Sequence, residues 1–301
     1  MTDAPLLGNP PRTADRRAGA GDGVLRDPLT GQQVLIAGHR QDRPQTRTGP
    51  CPFCPGGTEA PDPYDVKAFP NRWPALPGAS EVVLYTPRHT GSLARLSQQE
   101  VRKVVDLWAE RTAELGRRAD TGYVLVFENR GGEAGASVDH PHGQIFAFPE
   151  PPDVPMRELR SGTCALCAES VADELVVLGT RGWRAWVPRA AGWPYELRLA
   201  PRAHVPDLPS LSSESRDEMA WTLGEALRRL DRVVGGTMPS MMWIHQRPTR
   251  GHWPQAHLHV HVTGLWHAPG RRRHVAAGEH GSGVMVNPVV PAVAAGRLRE
   301  A

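Results

Sequence analysis

An α+β protein built by duplication is the fold class this sequence predicts, and three observations predict it. A Cys-x-x-Cys pair occurs twice, as "CPFC" at Cys51 and Cys54 and as "CALC" at Cys164 and Cys167. Each pair is followed by a strand, a Pro-Arg turn with a histidine and a long amphipathic segment, and each half closes on a histidine-rich strand, "HPHGQIFAF" or "HLHVHVTGL". The spacing recurs too: Cys164 follows Cys51 by 113 residues, His204 follows His89 by 115 and His257 follows His140 by 117. Order, residue type and spacing repeat together, as an internal repeat requires.

The elements follow in order. The start, "MTDAPLLGNPPRTADRRAGAGDG", is rich in Pro, Gly, Arg and Asp, so residues 1–24 are expected to be a disordered tail. Repeat units are expected over residues 25–155 and 156–297. In the first, "EVVLYTPRH" reads as a strand and turn ending at His89. Ser97 and Glu100 then form a capping box, and Val101, Val104, Val105 and Trp108 follow at helical spacing. In the second, "ELRLAPRAH" leads to His204, and Met219, Leu223, Leu227 and Leu230 line one helix face. An alternating strand follows each helix, "YVLVFENR" or "MMWIHQRP".

Composition excludes more than it identifies. The formal net charge is only +3, and no dense basic run argues for nucleic acid. Lys67 and Lys103 are the only lysines among 35 basic residues, an arginine bias expected of a GC-rich genome. No run reaches the ~20 apolar residues that span a bilayer, and no signal peptide is evident, so a cytoplasmic protein without a membrane partner is expected. No Gly-rich phosphate loop is present.

The cysteines point to metal. Without a secretion signal, paired cysteines suggest metal or redox work, and the Pro/Gly-rich setting of "CPFC" lacks a thioredoxin-like strand and helix. Two thiolates and two imidazoles form a closed zinc set. Cys51, Cys54, His89 and His140 are assigned to the first site, and Cys164, Cys167, His204 and His257 to the second. Four protein ligands leave no open position, so both sites are expected to be structural.

If His140 is a ligand, His142 is left on the same side of extended chain as a nucleophile toward phosphorus. A backbone carbonyl can fix its tautomer. Gly143 is expected to admit a bulky phosphoryl group to the backbone, and Gln144 to donate its amide to a phosphoryl oxygen. A neutral donor there suits a transferase that keeps its covalent intermediate.

"HPHGQ" resembles the active-site signature of galactose-1-phosphate uridylyltransferases, the transferase branch of the histidine-triad superfamily. "DPLTGQQVLIAGHRQDRP", "CPFC", "AFPNRWPAL" and "FENRGGEAGASVDHPHGQ" extend the resemblance, which runs from about residue 25 to residue 297. It implies two antiparallel half-barrel units, zinc as the sole cofactor, and a homodimer whose sites are completed across the interface. Arg40, Arg43, Asn71, Asn129, Ser137 and Gln144 are implied as nucleotide and phosphate contacts, and Glu279 as a sugar contact. The implied reaction is double displacement: a uridylyl group passes between UDP-glucose and galactose 1-phosphate, or a related sugar 1-phosphate, through a uridylyl-histidine on His142. The alternative is a sugar-nucleotide or dinucleotide phosphorylase or adenylyltransferase of the same superfamily. A non-catalytic zinc module is disfavoured because His142, Gln144 and Asn129 occur together.

Three departures bear on substrate and metal. Arg72 stands where some relatives place an aspartate, and the segment around Glu279 lacks an expected aromatic. Some relatives build their second metal site from a glutamate and three histidines, for which Glu158, His245, His259 and His261 are candidates. "CALC" favours the cysteine set instead. His259 holds the repeat position of His142 and is expected to line the site or pack rather than to attack.

Overall fold

The computed structural model describes residues 23–41 and 49–301. Most of the expected tail, and Arg43, lie outside the described residues. A short hairpin opens the description, β1 (Gly23–Arg26) against β2 (Gln33–Ile36). The first half continues with β3 (Lys67–Pro70), β4 (Ser80–Leu84), helix α1 (Gln98–Gly116), β5 (Tyr123–Arg130) and β6 (His142–Phe148). Two short helices, α2 (Asp153–Glu158) and α3 (Ala165–Ala168), lead into β7 (Val176–Gly179), β8 (Trp183–Trp186) and β9 (Tyr195–Pro201). Helix α4 (Ser213–Val234) precedes β10 (Ser240–His245) and β11 (His259–Gly264). A small β12–β13 ribbon (Trp266–Ala268, Arg271–Arg272) and helices α5 (Ala277–Ser282) and α6 (Pro291–Glu300) complete the chain.

The duplication appears as a near-palindrome of strands. One nine-stranded sheet runs β3-β4-β6-β5-β10-β11-β9-β8-β7, with every neighbouring pair antiparallel. The halves meet where β5 pairs with β10, Glu128 opposite Met242 and Phe127 opposite Trp243. The two units expected from the sequence thus share a sheet rather than closing separately.

Both long helices form where the apolar spacing places them. Ser97 accepts from the Glu100 amide while Glu100 Oε2 accepts from the Ser97 amide at 2.8 Å, completing the expected capping box. Ser212 caps α4, which ends on Gly235 at φ +65°. The helices lie against each other, cross-linked by Arg102–Asp217 at 2.5 Å and Arg216–Asp106 at 3.1 Å. Their apolar stripes and one face of the sheet form a core spanning both halves, from Val104, Trp108 and Ile145 to Leu223, Leu227 and Val260.

Strand alternation assigns the other face to chemistry. On β6, Gly143, Ile145 and Ala147 are buried toward the core, while His142, Gln144, Phe146 and Phe148 project from the opposite side. Gly143 therefore does not open the backbone to a phosphoryl group, contrary to expectation. It faces the core, where an added Cβ would lie 2.0 Å from the Tyr85 hydroxyl and 3.0 Å from the Phe127 carbonyl.

A shared sheet and core predict a single cooperative unfolding transition. Truncating the fully buried Trp108 to Ala should lower stability of the whole chain by about 3–5 kcal/mol, seen as one shifted urea curve. Two separated transitions would show that the halves fold independently.

Candidate active site

The His-Pro-His step is held from three sides. His140 is buried, and its Nδ1 lies 3.8 Å from Cys51 Sγ and 3.7 Å from Cys54 Sγ. Its other nitrogen, Nε2, donates to the Thr86 carbonyl at 2.8 Å, with the Tyr64 hydroxyl at 3.0 Å. That bond fixes the tautomer and turns the Nδ1 lone pair toward the thiols. His89 Nδ1 lies 3.5 Å from Cys54 Sγ, so all four expected donors of the first set converge. Burial lowers the His140 pKa, opposed by its bond to Thr86, which favours the neutral ring a metal needs.

His142 is ordered by its neighbour's backbone. Its Nδ1 lies 2.7 Å from the His140 carbonyl oxygen, and only a protonated nitrogen can make that bond. Nε2 is then the ring's lone-pair nitrogen. The Phe53 ring packs edge-on to the imidazole at 5.2 Å. Next along the strand, the Gln144 carbonyl oxygen accepts from Asn71 Nδ2 at 3.2 Å, and Asn71 Oδ1 in turn accepts from the Trp73 amide at 2.8 Å. With its oxygen committed to Asn71, Gln144 presents its NH2 group to the site.

His142, Gln144, Asn71 and Ser137 line one cleft, together with Phe53, Glu59, Arg72, Trp73, Val82 and Val138. Arg40 ends a short 3-10 turn whose His39 Nε2 bonds the Pro74 carbonyl at 2.7 Å, beside the loop that carries Asn71. Asn129 ends β5; continuing the Phe127–Gln144 register by two residues sets it opposite His142. Glu279 is not in this cleft. It is buried on α5, where Oε1 accepts from the Val286 amide at 2.7 Å, Oε2 from the Ala276 amide at 2.9 Å, and Arg273 pairs with it. Those bonds clasp the C-terminal segment and hold the carboxyl below its usual range, the Val286 and Ala276 amides first.

The second half repeats the metal geometry. His257 Nδ1 lies 3.3 Å from Cys164 Sγ and 3.5 Å from Cys167 Sγ, His204 Nδ1 lies 3.3 Å from Cys167 Sγ, and His257 Nε2 bonds the Pro201 carbonyl at 3.0 Å. Burial, then the neighbouring His204, pushes His257 down to about 4.

Sequence reasoning set a Glu/His cluster against this site as an alternative; the structure assembles both. Glu158 Oε2 lies 2.9 Å from His245 Nδ1 and 3.3 Å from His259 Nε2, and Oε1 lies 3.7 Å from His261 Nε2. Burial would raise the Glu158 pKa, but hydrogen bonds from the three histidines hold it far below the usual range, while burial pushes His261 down to about 3. One carboxylate and three imidazoles within reach of one another form a donor set that could hold a metal ion. His259 Nδ1 bonds the His257 carbonyl at 2.8 Å, the same bond that His142 makes to His140.

Comparison with known proteins decides the family. The family profile "Galactose-1-phosphate uridyl transferase, N-terminal domain" matches residues 72–152, and its C-terminal counterpart matches residues 159–267. A Thermotoga maritima protein named galactose-1-phosphate uridylyltransferase is 34% identical, over 91% of this chain and 96% of its own. The chain belongs to the galactose-1-phosphate uridylyltransferase family.

Other relatives agree. A Streptomyces lividans protein of the same name is 40% identical over 75% of this chain and 70% of its own. A solved uridylyltransferase superposes with a TM-score of 0.85 at 30% identity, covering 92% of this chain and 97% of that one. An ADP-glucose phosphorylase from Arabidopsis thaliana shares the fold, with a TM-score of 0.76 at 22% identity over 93% and 98% of the two chains. As a uridylyltransferase-family member this chain is a nucleotidyltransferase.

Sequence reasoning missed Phe53, Glu59, Trp73, Val82 and Val138 as cleft residues. Only Glu59 and Trp73 carried a chemical signal, and nothing local tied it to His142. The latch on Gln144 yields a test. Asn71→Ala should slow turnover by roughly tenfold, less than the 10²–10³ lost when a fixed donor is deleted outright. Asn71→Asp, which retains the acceptor for Trp73 but cannot donate to Gln144, should behave like Ala in steady-state kinetics.

Proposed function

We propose that this nucleotidyltransferase moves a uridylyl group between UDP-glucose and galactose 1-phosphate, or a related sugar 1-phosphate, through a uridylyl-histidine on His142. One observation carries the reading: the 2.7 Å bond from His142 Nδ1 to the His140 carbonyl, which leaves Nε2 to attack. Nε2 adds to the α-phosphorus, the bond to the β-phosphate oxygen breaks, and glucose 1-phosphate leaves. Through this step Nδ1–H stays on its carbonyl, which stabilises positive charge on the ring. The Gln144 amide, with Asn129 and Ser137, steadies the phosphoryl oxygens, and Arg40 and Arg43 supply cations. A phosphate oxygen of galactose 1-phosphate then attacks the same phosphorus, the N–P bond breaks, and the free imidazole returns. Glu279 reads sugar hydroxyls indirectly, through the segment it clasps.

Zinc is the metal we assign to the two Cys2His2 sets. Zn–S bonds of about 2.3 Å and Zn–N bonds of about 2.0 Å at a tetrahedral angle put sulfur and nitrogen roughly 3.5 Å apart. The Sγ–Nδ1 separations of 3.3 to 3.8 Å bracket that value. When bound, such an ion orders loops and histidines and takes no part in phosphoryl chemistry. Residues 25–155 and 156–297 are the two repeat units in this reading. A cytoplasmic homodimer is the form we expect, consistent with the absence of a membrane-length apolar helix among the described residues.

Intact-protein mass spectrometry after mixing with UDP-glucose tests the nucleophile and donor together. A gain of one uridylyl group, absent in His142→Gly, is expected. An adduct only with ADP- or GDP-sugars would change the substrate, and release of the label by inorganic phosphate would make the enzyme a phosphorylase. For the metal, elemental analysis should find zinc, with one equivalent lost in Cys54→Ala and a different one in Cys167→Ala.

A further inference from the structure

The duplication supplies an internal control for residues that serve the nucleophile. His142 and His259 make the same bond to the preceding histidine's carbonyl, so the two strands align residue for residue. Gly143 then corresponds to Val260, and Gln144 to His261. Phe127 stands opposite Gln144 as Trp243 stands opposite His261, so Glu128 corresponds to Ile244. Behind the second strand the structure is wholly apolar, with Val260 and Ile244 both fully buried. Behind the nucleophile strand it is not.

There the space of a Val side chain is left empty by Gly143 and taken by a hydroxyl. The Tyr85 hydroxyl sits so close that even a Cβ on Gly143 would come within 2.0 Å of it. Gly143 is not at positive φ, so the requirement is for room and not for an unusual backbone. Tyr85 is 1% exposed, and its backbone amide donates to the Pro141 carbonyl at 3.2 Å, within the His-Pro-His step itself. Its ring stands edge-on to Trp108 of α1 at 5.8 Å. Glu128, beside Gly143 on the neighbouring strand, is also buried and acts on the Tyr85 hydroxyl. Neither Tyr85 Oη nor Glu128 Oε2 has a hydrogen-bond partner among the described residues, so two polar atoms stand buried and unsatisfied behind this strand.

Burying a carboxyl and a hydroxyl in a core costs free energy that an isoleucine does not. The second half shows that this sheet tolerates the apolar solution. Burial, opposed by Arg130 and the Tyr85 hydroxyl, pushes the Glu128 carboxyl up to about 7, so near neutral pH it bears a proton at little cost. Arg130, two residues further along β5 and buried on the same face, bonds Asp231 on α4 at 2.5 Å.

We infer that Tyr85 and Glu128 are positioning residues for His142: a buried polar pair, present only in the catalytic half, that presses on Gly143 from behind and holds the nucleophile strand in register with the His140 carbonyl. The inference rests on His142 being the nucleophile. Neither residue touches substrate.

The test compares Tyr85→Phe and Glu128→Ile with Glu128→Gln, in the full-length metal-loaded protein, by two readouts. The first is the single-turnover rate of uridylyl-histidine formation from UDP-glucose. We expect a loss of about tenfold or more in Tyr85→Phe and Glu128→Ile, with KM within about twofold, and recovery of most of the rate in Glu128→Gln. The second needs no substrate: 15N NMR of the His142 ring should show the single Nδ1–H tautomer in the native protein and a mixture of tautomers in the two disruptive variants. Gly143→Ala, damaging alone, should be partly rescued by Tyr85→Phe. Native rates and a single tautomer in both disruptive variants would overturn the inference. Failure of the native protein to be labelled by UDP-glucose would instead count against the proposed reaction, and the tautomer would still decide the positioning role.

Discussion

The site depends on a short covalent constraint, the two peptide bonds between His140 and His142. Pro141 has no N–H, so this stretch cannot extend the regular sheet ladder, and its carbonyls turn to other partners. The Pro141 oxygen accepts from Tyr85, and the His140 oxygen accepts from His142. One residue thereby serves two purposes: the His140 ring belongs to the thiol cluster while its backbone orders the His142 ring. Any motion of the cysteine loop reaches His142 through a single rigid residue. A metal at Cys51, Cys54, His89 and His140 can matter to the rate without touching phosphorus.

Duplication explains how a second half can resemble the first so closely and do something else. Both strands preserve the histidine-to-carbonyl bond, at 2.7 and 2.8 Å. On the face that carries the histidines, the divergence begins two residues later. Gln144 gives a neutral amide latched by Asn71, while His261 at the matching place joins His245, His259 and Glu158. The Glu158 carboxylate, 3.3 Å from His259 Nε2, occupies the direction from which a phosphorus atom would have to approach. The second strand gathers three histidines around a carboxylate, while the first sets Nε2 as the lone-pair nitrogen of the His142 ring.

Much of this was legible in sequence, for identifiable reasons. Helices α1 and α4 were readable because their periodicity and caps are local, and the two Cys2His2 sets because a duplicated spacing is improbable without a shared geometry. The signature around His142 pointed to the family that the comparisons show. What failed were statements about sides and simultaneity. Gly143 was given a role on the phosphate face, yet strand alternation turns it to the core, where Tyr85 explains it. The Glu158 cluster was treated as a rival to the cysteine set, because spacing alone does not show that Glu158, ending α2, reaches His259 and His261 on β11 while Cys164 and Cys167 reach His257 just before that strand. Glu279 carried no local sign that its oxygens would be spent on Ala276 and Val286.

Position in the fold separates reaction class from substrate choice. His142, Gln144 and Asn129 project from neighbouring central strands, where the ladder fixes each Cα and the core behind resists movement. Residues that can distinguish bases or sugars sit elsewhere: Glu59, Arg72 and Trp73 on the loops flanking the cleft, and the segment clasped by Glu279. A loop can exchange Arg72 for a carboxylate without disturbing a single strand hydrogen bond, whereas a change at Gly143 or Gln144 must displace packed neighbours. The covalent chemistry is therefore the most constrained property of this chain and the acceptor the least.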